Sequence, residues 1–377
     1  MITALETKSE RINSSYQVPR ILKDSYLYSL DGLRAISVLL VTGAHLGLPY
    51  KTYDHYLHPL ARLGVQFFFV ISGFLITTLL MKEKIASGTI SLKRFYIRRF
   101  FRIIPVAYLY LLFIIVLNAV LHLSMSYYYI LLSFLFIRNF AMSSRGFDNL
   151  TTHYWSLSVE EQFYLIFPVI LKKNLKYFTL FLLLMILFPL FVDIYNVFDT
   201  PTIAKNTLTK IIIQFFSQFQ AISVGALCAI ILFKNKIQFT TYASKATILT
   251  LSFFILIFLL LFSRNSFFSI NNILIAFLFA AIIILNIQKS STTSFRLLNN
   301  KYMKSVGVLS YSMYIWQPPL AHSLTFIKKF SFFQPYRNEP LAYIIIGLGS
   351  FIAILAVSYA SYFFYEKQFL KLKDKFK

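Results

Sequence analysis

Apolar residues in this chain come in long runs broken by short polar stretches. Two of the clearest runs, 246–262 and 270–287, carry no charge over a length that matches the hydrocarbon core of a bilayer. The 3.6-residue periodicity predicts ten membrane helices, near 30–48, 64–81, 103–122, 156–171, 177–195, 209–233, 246–263, 268–288, 306–327 and 341–364. A further apolar stretch, 127–140, is short for a full crossing and reads as re-entrant. The expected fold class is all-α, a polytopic transmembrane helical bundle of about ten spans plus that short re-entrant segment. It divides into a polar segment 1–29, one membrane domain 30–366 and a basic tail 367–377. No internal repeat or low-complexity linker interrupts it.

Composition agrees with a membrane protein. Of 377 residues, 58% are hydrophobic and 14% charged, whereas a soluble domain carries about 25% charge. Mean hydropathy is +0.66. The single cysteine, Cys228, excludes an internal disulfide framework. The polar N-terminal stretch ahead of the first apolar run does not resemble a cleavable leader, so the first helix is expected to act as an uncleaved signal-anchor.

The formal charge of +23 would point a soluble chain toward nucleic acid. Here the cations cluster in alternate loops. With 127–140 not crossing, 26 of the 37 Lys and Arg fall on one side. The positive-inside rule makes that side the cytoplasm and places both termini there. Membrane lipids, not nucleic acid, are thus the expected partner of most of the charge.

Ionisable residues inside such helices are costly and default to functional readings. Three groups stand out. The first is Asp31-Gly-Leu-Arg34 followed by His45. Eleven residues are about three helical turns, so Arg34 and His45 share a face about 16 Å apart along the axis. Asp31 can cap that helix and pair with Arg34. Histidine is the side chain best suited to take a proton from a hydroxyl near neutral pH. The second group is Arg98, Arg99 and Arg102, on an interfacial helix leading into the third span. It serves as a lipid-contacting anchor or as a forked site for a phosphorylated cytoplasmic substrate. The third is Trp155 with Glu160 and Glu161, expected at the outer start of the fourth span. Ser158 can cap that helix, and its positive end accounts for one Glu. Two acids beside Trp155 and His153 suggest a polar cavity for a hydroxylated acceptor. His55, His58, His122 and His322 show no ligand spacing, so no metal is expected.

These pieces resemble the acyltransferase-3 family of membrane-bound O-acyltransferases. The resemblance rests on Leu30-Asp-Gly-Leu-Arg34 through His45, residues 64–76 (GVQFFFVISGFLI), Arg98-Arg-Phe-Phe-Arg102-Ile-Ile-Pro105 and Trp155-Ser-Leu-Ser-Val-Glu160-Glu-Gln-Phe-Tyr164. Ser310-Tyr-Ser-Met-Tyr-Ile-Trp316 and Tyr365-Glu366-Lys367 complete it, all in the family's order. It implies transfer of an acyl group, most often acetyl, from acyl-coenzyme A to a carbohydrate or lipid-linked glycan. O-antigen, capsule and exopolysaccharide are the acceptors it implies, in a bacterial cytoplasmic (inner) membrane. By position, His45 is implied as the catalytic histidine, Arg34 as its motif partner, and Arg98 to Arg102 as contacts of the coenzyme A phosphates. Trp155, Glu160 and Glu366 match further motif positions. The histidine is expected to work as a general base or through an acyl-histidine.

Two departures are visible: Gln317 stands where the family usually has His, and Gln66 where an acid is common. Many polysaccharide-modifying members also carry an SGNH domain; none is recognisable in these 377 residues, so a second transfer step is expected to use another protein. The competing class is a glycolipid transporter or flippase, which would also place Arg, His and acids along its path. Against it, no inverted repeat is visible.

Overall fold

The computed structural model describes residues 17–24, 26–46, 57–141, 146–198, 207–234, 245–261, 268–321 and 340–376. Residues 1–16 of the polar segment, His55, His322 and Lys377 lie outside these. Every expected span contains a helix. In chain order they are α1 (Leu30–His45), α2 (His58–Ser87), α3 (Leu92–Leu121), α4 (Tyr127–Phe134), α5 (Tyr154–Lys173), α6 (Leu175–Phe198) and α7 (Thr207–Phe233). There follow α8 (Ala246–Leu261), α9 (Phe268–Ile287), a short α10 (Thr293–Leu298), α11 (Lys301–Ala321), α12 (Pro340–Ala360) and α13 (Lys367–Asp374). The described residues hold no strand.

Among the described residues, six stretches are long and apolar enough to cross a membrane: α2, α3, Leu175–Ile194, Ile212–Phe233, Ile270–Ile287 and Ile344–Lys373. Large apolar side chains stand exposed along α8 (Ile248, Leu251, Ile255, Leu259) and α12 (Ile344, Ile345, Leu348, Ile352). A soluble surface does not carry such stripes, and a bilayer covers them. The chain is a multi-pass membrane protein.

Contacts divide the chain into two compact units of interleaved stretches. The first comprises 1–34, 66–91 and 162–304; the second 35–65, 92–161 and 305–377. Stretches of the expected 30–366 domain fall in both units.

The first unit is held mainly by apolar packing. In it, α7 packs on α6 and α9, and α9 on α8. A Cβ on Gly73 would fall 1.9 Å from the Ile222 carbonyl oxygen, and one on Gly225 2.2 Å from that of Val70. Each glycine therefore admits the other helix's backbone, the small-residue packing that membrane helices use. Phe67 stacks on Phe279 with ring centroids 4.0 Å apart. Polar side chains act here as fasteners: Gln220 Nε2 donates to the Ile186 carbonyl at 3.0 Å, and Asn286 Nδ2 to Thr250 Oγ1 at 2.9 Å. Gln66 belongs with them, its Nε2 donating to the Asn272 carbonyl at 2.7 Å. The acid common at that position could not make this bond.

In the second unit, α3 is the spine. α4 and α13 pack on it, joined by a π-helical turn, Ser361–Glu366, between α12 and α13. Within the tail 367–377, Lys367–Asp374 is helical.

Candidate active site

After α3 the chain turns back on itself, as expected for 127–140. The turn passes through left-handed backbone at His122 (φ 47°), Ser124 (φ 57°) and, after α4, Phe136 (φ 51°). Non-glycine residues hold such angles only where their surroundings fix them. Asn118 brackets Met125, accepting from its N–H at 3.0 Å and donating to its carbonyl at 3.4 Å. Asp148 Oδ1 accepts the Ser126 N–H at 2.9 Å. Non-helical backbone at membrane depth survives only when protein satisfies it in this way.

Arg138 fastens the end of this hairpin and is fully buried. Its guanidinium carbon lies 4.3 Å from the centre of the Tyr129 ring, and its backbone N–H donates to Ser158 Oγ at 3.2 Å. Sequence reasoning passed over it as a loop cation. An arginine within an apolar run was the signal that could have found it.

The hairpin fixes where α5 begins. The Tyr154 hydroxyl donates to the Ala107 carbonyl and the Tyr110 hydroxyl to the Leu150 carbonyl, each at 2.6 Å. α5 therefore starts beside the middle of α3 and runs back along it. Seven residues on, about 10 Å by helical rise, Glu161 comes within electrostatic reach of Arg99. The expectation that these carboxylates lie at one membrane face and the arginines at the other is corrected. The folded-back hairpin consumes the missing length, so both sets share one level.

That level forms a charged tier around Tyr311 of α11. Tyr311 donates to the Ile103 carbonyl at 2.7 Å, and Glu366, Glu161, Glu160 and Arg102 all lie within electrostatic reach of it. Glu366 is 6% exposed, and its Oε1 accepts from the hydroxyls of Ser312 and Ser361, the second at 3.0 Å. The π-helical turn, whose period brings residues five apart together, supplies the Ser361 contact; such turns recur at functional sites. Glu161 is half-buried overall, yet its Oε1 is sealed without a hydrogen bond.

The three arginines, one group in the sequence, have three different surroundings. Arg98 donates to the Phe376 carbonyl at 2.9 Å, where Phe376 also stacks on Phe101. Arg99 lies over the Phe95 ring, 5.8 Å from its centre, and faces Glu161. Arg102, half-buried and within electrostatic reach of Glu366, makes no hydrogen bond or ion pair among the described residues.

Farther along α3 lies an aromatic tier. Tyr110, His153 and Tyr154 form its floor, with His153 edge-on to Tyr110 at 5.2 Å. From α11, Tyr314 shares a 2.5 Å hydrogen bond with Ser156 Oγ and donates to the His153 carbonyl at 3.2 Å. Trp316 meets Tyr110 and Phe113 edge-on, both at 5.5 Å. Trp155, on the first turn of α5, is half-buried.

His45 ends α1, and its Nδ1 lies 2.7 Å from the Val41 carbonyl oxygen. A carbonyl only accepts, so Nδ1 carries the hydrogen and Nε2 is the basic nitrogen of the neutral ring. Arg34 and Asp31 belong to the other unit. There Asp31 pairs with Arg34 at 3.6 Å and accepts from the Tyr26 hydroxyl at 2.8 Å. Burial and the Asp31 carboxylate raise the Tyr26 hydroxyl above its usual range, so it stays a donor. Gly32 of the same motif serves packing, for a Cβ there would strike the Leu298 carbonyl.

A family model described as an acyltransferase domain matches residues 27–362, which includes the aromatic tier and all of the charged tier but Glu366. The chain belongs to the acyltransferase-3 family. Among acyltransferase-3 proteins it is similar to the peptidoglycan O-acetyltransferase OatA of Listeria monocytogenes, 32% identical over 40% of this chain and 25% of that protein. A putative O-acetyltransferase of Staphylococcus aureus strain COL is 29% identical over 81% of this chain and 52% of its own length. The O-acetyltransferase OatA of Staphylococcus aureus strain NCTC 8325 matches to the same extent. This acyltransferase-3 chain thus spans about half the length, or less, of these relatives. No solved structure matches it.

Proposed function

We propose that this protein is a membrane-bound O-acetyltransferase that moves an acetyl group from acetyl-coenzyme A to a hydroxyl of a surface carbohydrate, in the bacterial cytoplasmic membrane with both termini inside. The observation that carries it is the contact of His45 Nδ1 with the Val41 carbonyl at 2.7 Å, which leaves Nε2 as the base when the ring is neutral. Nε2 takes the acceptor hydroxyl's proton as the oxygen attacks the thioester carbonyl. The carbon–sulfur bond breaks, and the departing sulfur receives that proton from His45. Arg34, on the same helix and paired with Asp31, is the motif partner of the histidine. Glu160 and Arg102 contribute charge to orient the reacting groups.

The donor reading narrows within the arginine group. Arg102 meets a phosphate of coenzyme A, Arg98 flanks it, and Arg99 is the counter-charge of Glu161. The name of one relative, a peptidoglycan O-acetyltransferase, favours a cell-wall glycan as acceptor over O-antigen or capsule.

His45→Ala in proteoliposomes with acetyl-coenzyme A and cell-wall glycan fragments should lose transfer by about 10²- to 10⁴-fold, the usual worth of a positioned base. Transfer at the unmutated rate, with the protein inserted normally, would overturn this function.

A further inference from the structure

Where α11 reaches the aromatic tier, it leaves polar groups without partners. Gln317 is 2% exposed, and its Oε1 has no hydrogen bond. The neighbouring Trp316 Nε1 is buried and equally unpartnered. Two prolines follow, Pro318 and Pro319, inside the helix. Pro319 has no N–H, so the helix withdraws its usual donor from the Ile315 carbonyl, four residues back. Buried polar groups are almost always satisfied, and a cluster of exceptions calls for an absent partner.

The chemistry of that partner can be read from what is left over. One donor and one acceptor belong to the adjacent residues Trp316 and Gln317, and the titratable His153 ring lies in the same tier, edge-on to Tyr110 and Tyr314. The rings of Tyr110 and Phe113 meet the Trp316 indole. A hydroxyl both donates and accepts, and a sugar ring offers several hydroxyls beside C–H faces that lie against aromatic surface. An apolar, aromatic lining with a few fixed polar groups is the usual make-up of a small-ligand site. A lipid tail would leave both polar groups unpaired.

We propose that this end of α11 is the carbohydrate-acceptor subsite. The Trp316 N–H donates to a sugar oxygen, while Gln317 Oε1 and the Ile315 carbonyl accept from sugar hydroxyls. The proposal rests on the O-acetyltransferase reading and assigns Gln317 a binding role in place of the proton transfer a histidine could perform. It also separates the two substrates: the donor's phosphates lie at Arg102, and the acceptor about 16 Å farther along α3, by helical rise from Arg102 to the level of Phe113.

The test uses the full chain with two near-isosteric variants, Trp316→Phe and Gln317→Met. Each is the sole copy in its cells, and alkali-released acetate of purified surface glycan is measured per amount of membrane protein. Purified variants are titrated with acetyl-coenzyme A in parallel. About a tenfold fall in glycan acetate with donor affinity within twofold of the unmutated protein is expected. Unchanged acetate overturns the subsite, as does a matching loss of donor affinity. Should Gln317→Met fail to accumulate, Gln317→Asn carries the same comparison. Unmutated cells with no more acetate than a deletion strain would sink the O-acetyltransferase reading itself, and the subsite with it.

Discussion

The charged and aromatic tiers are built by the same helices, α3, α5 and α11, yet they leave different things unfinished. In the charged tier, Glu366 takes two serine hydroxyls, Arg98 takes a carbonyl, and Arg99 faces Glu161. What remains is a guanidinium, Arg102, and one sealed carboxylate oxygen of Glu161. In the aromatic tier, each tyrosine hydroxyl has found an acceptor. What remains is an indole N–H and an amide oxygen. A buried charge without a partner costs several kcal/mol, a neutral group about 1–3 kcal/mol. A ligand of matching character would complete each remainder. An ionic donor suits the first tier and a neutral, hydroxylated acceptor the second.

The largest effect that could break this division is on Arg102. Arg102→Ala should raise the KM for acetyl-coenzyme A by about 10- to 100-fold, the worth of one or two charge-assisted hydrogen bonds. The penalty should shrink for a donor lacking the 3′-phosphate, while glycan KM stays within twofold. A loss that falls on the glycan instead would merge the tiers.

Glu366 should act through Arg102. Glu366→Gln keeps the shape and an acceptor for Ser312 and Ser361 but removes the charge near the guanidinium. Roughly a tenfold rise in donor KM is expected, largely absent when Arg102 is already alanine. Coupled residues are non-additive in such double-mutant cycles. Full additivity would leave Glu366 a purely structural group.

Much of the fold was legible because the apolar period marks helices directly. The ten predicted spans each contain a helix, and the short 127–140 stretch folds back as its length implied. The arginines, acids and histidine stood out in the sequence through their cost in a membrane helix. What escaped was their relative height. Nothing in residues 122–153 states how far the hairpin returns; it depends on Asn118, Asp148 and Arg138 closing polar contacts at a distance. The roles of Gly32 and Gln66 escaped for a similar reason, since a carbonyl facing a glycine or an amide belongs to a remote helix.

The tyrosine hydroxyls that set this height offer a smaller effect. Tyr154→Phe removes the bond to the Ala107 carbonyl, at a cost of about 1 kcal/mol, the net worth of a typical hydrogen bond. Melting in detergent should fall by a few degrees with donor KM unchanged. A donor KM that rose with it would mean the start of α5 also positions Arg102.

The smallest effect concerns Phe376. Its ring stacks on Phe101, while its backbone carbonyl, not its side chain, receives Arg98. Phe376→Ala therefore removes an aromatic pair worth about 0.5–1.5 kcal/mol and leaves the acceptor in place. Donor KM should shift less than threefold, because the guanidinium that meets phosphate is Arg102. A tenfold change in either direction would show that α13 governs the donor site through Arg98, and the charged tier would then include the helix beside it.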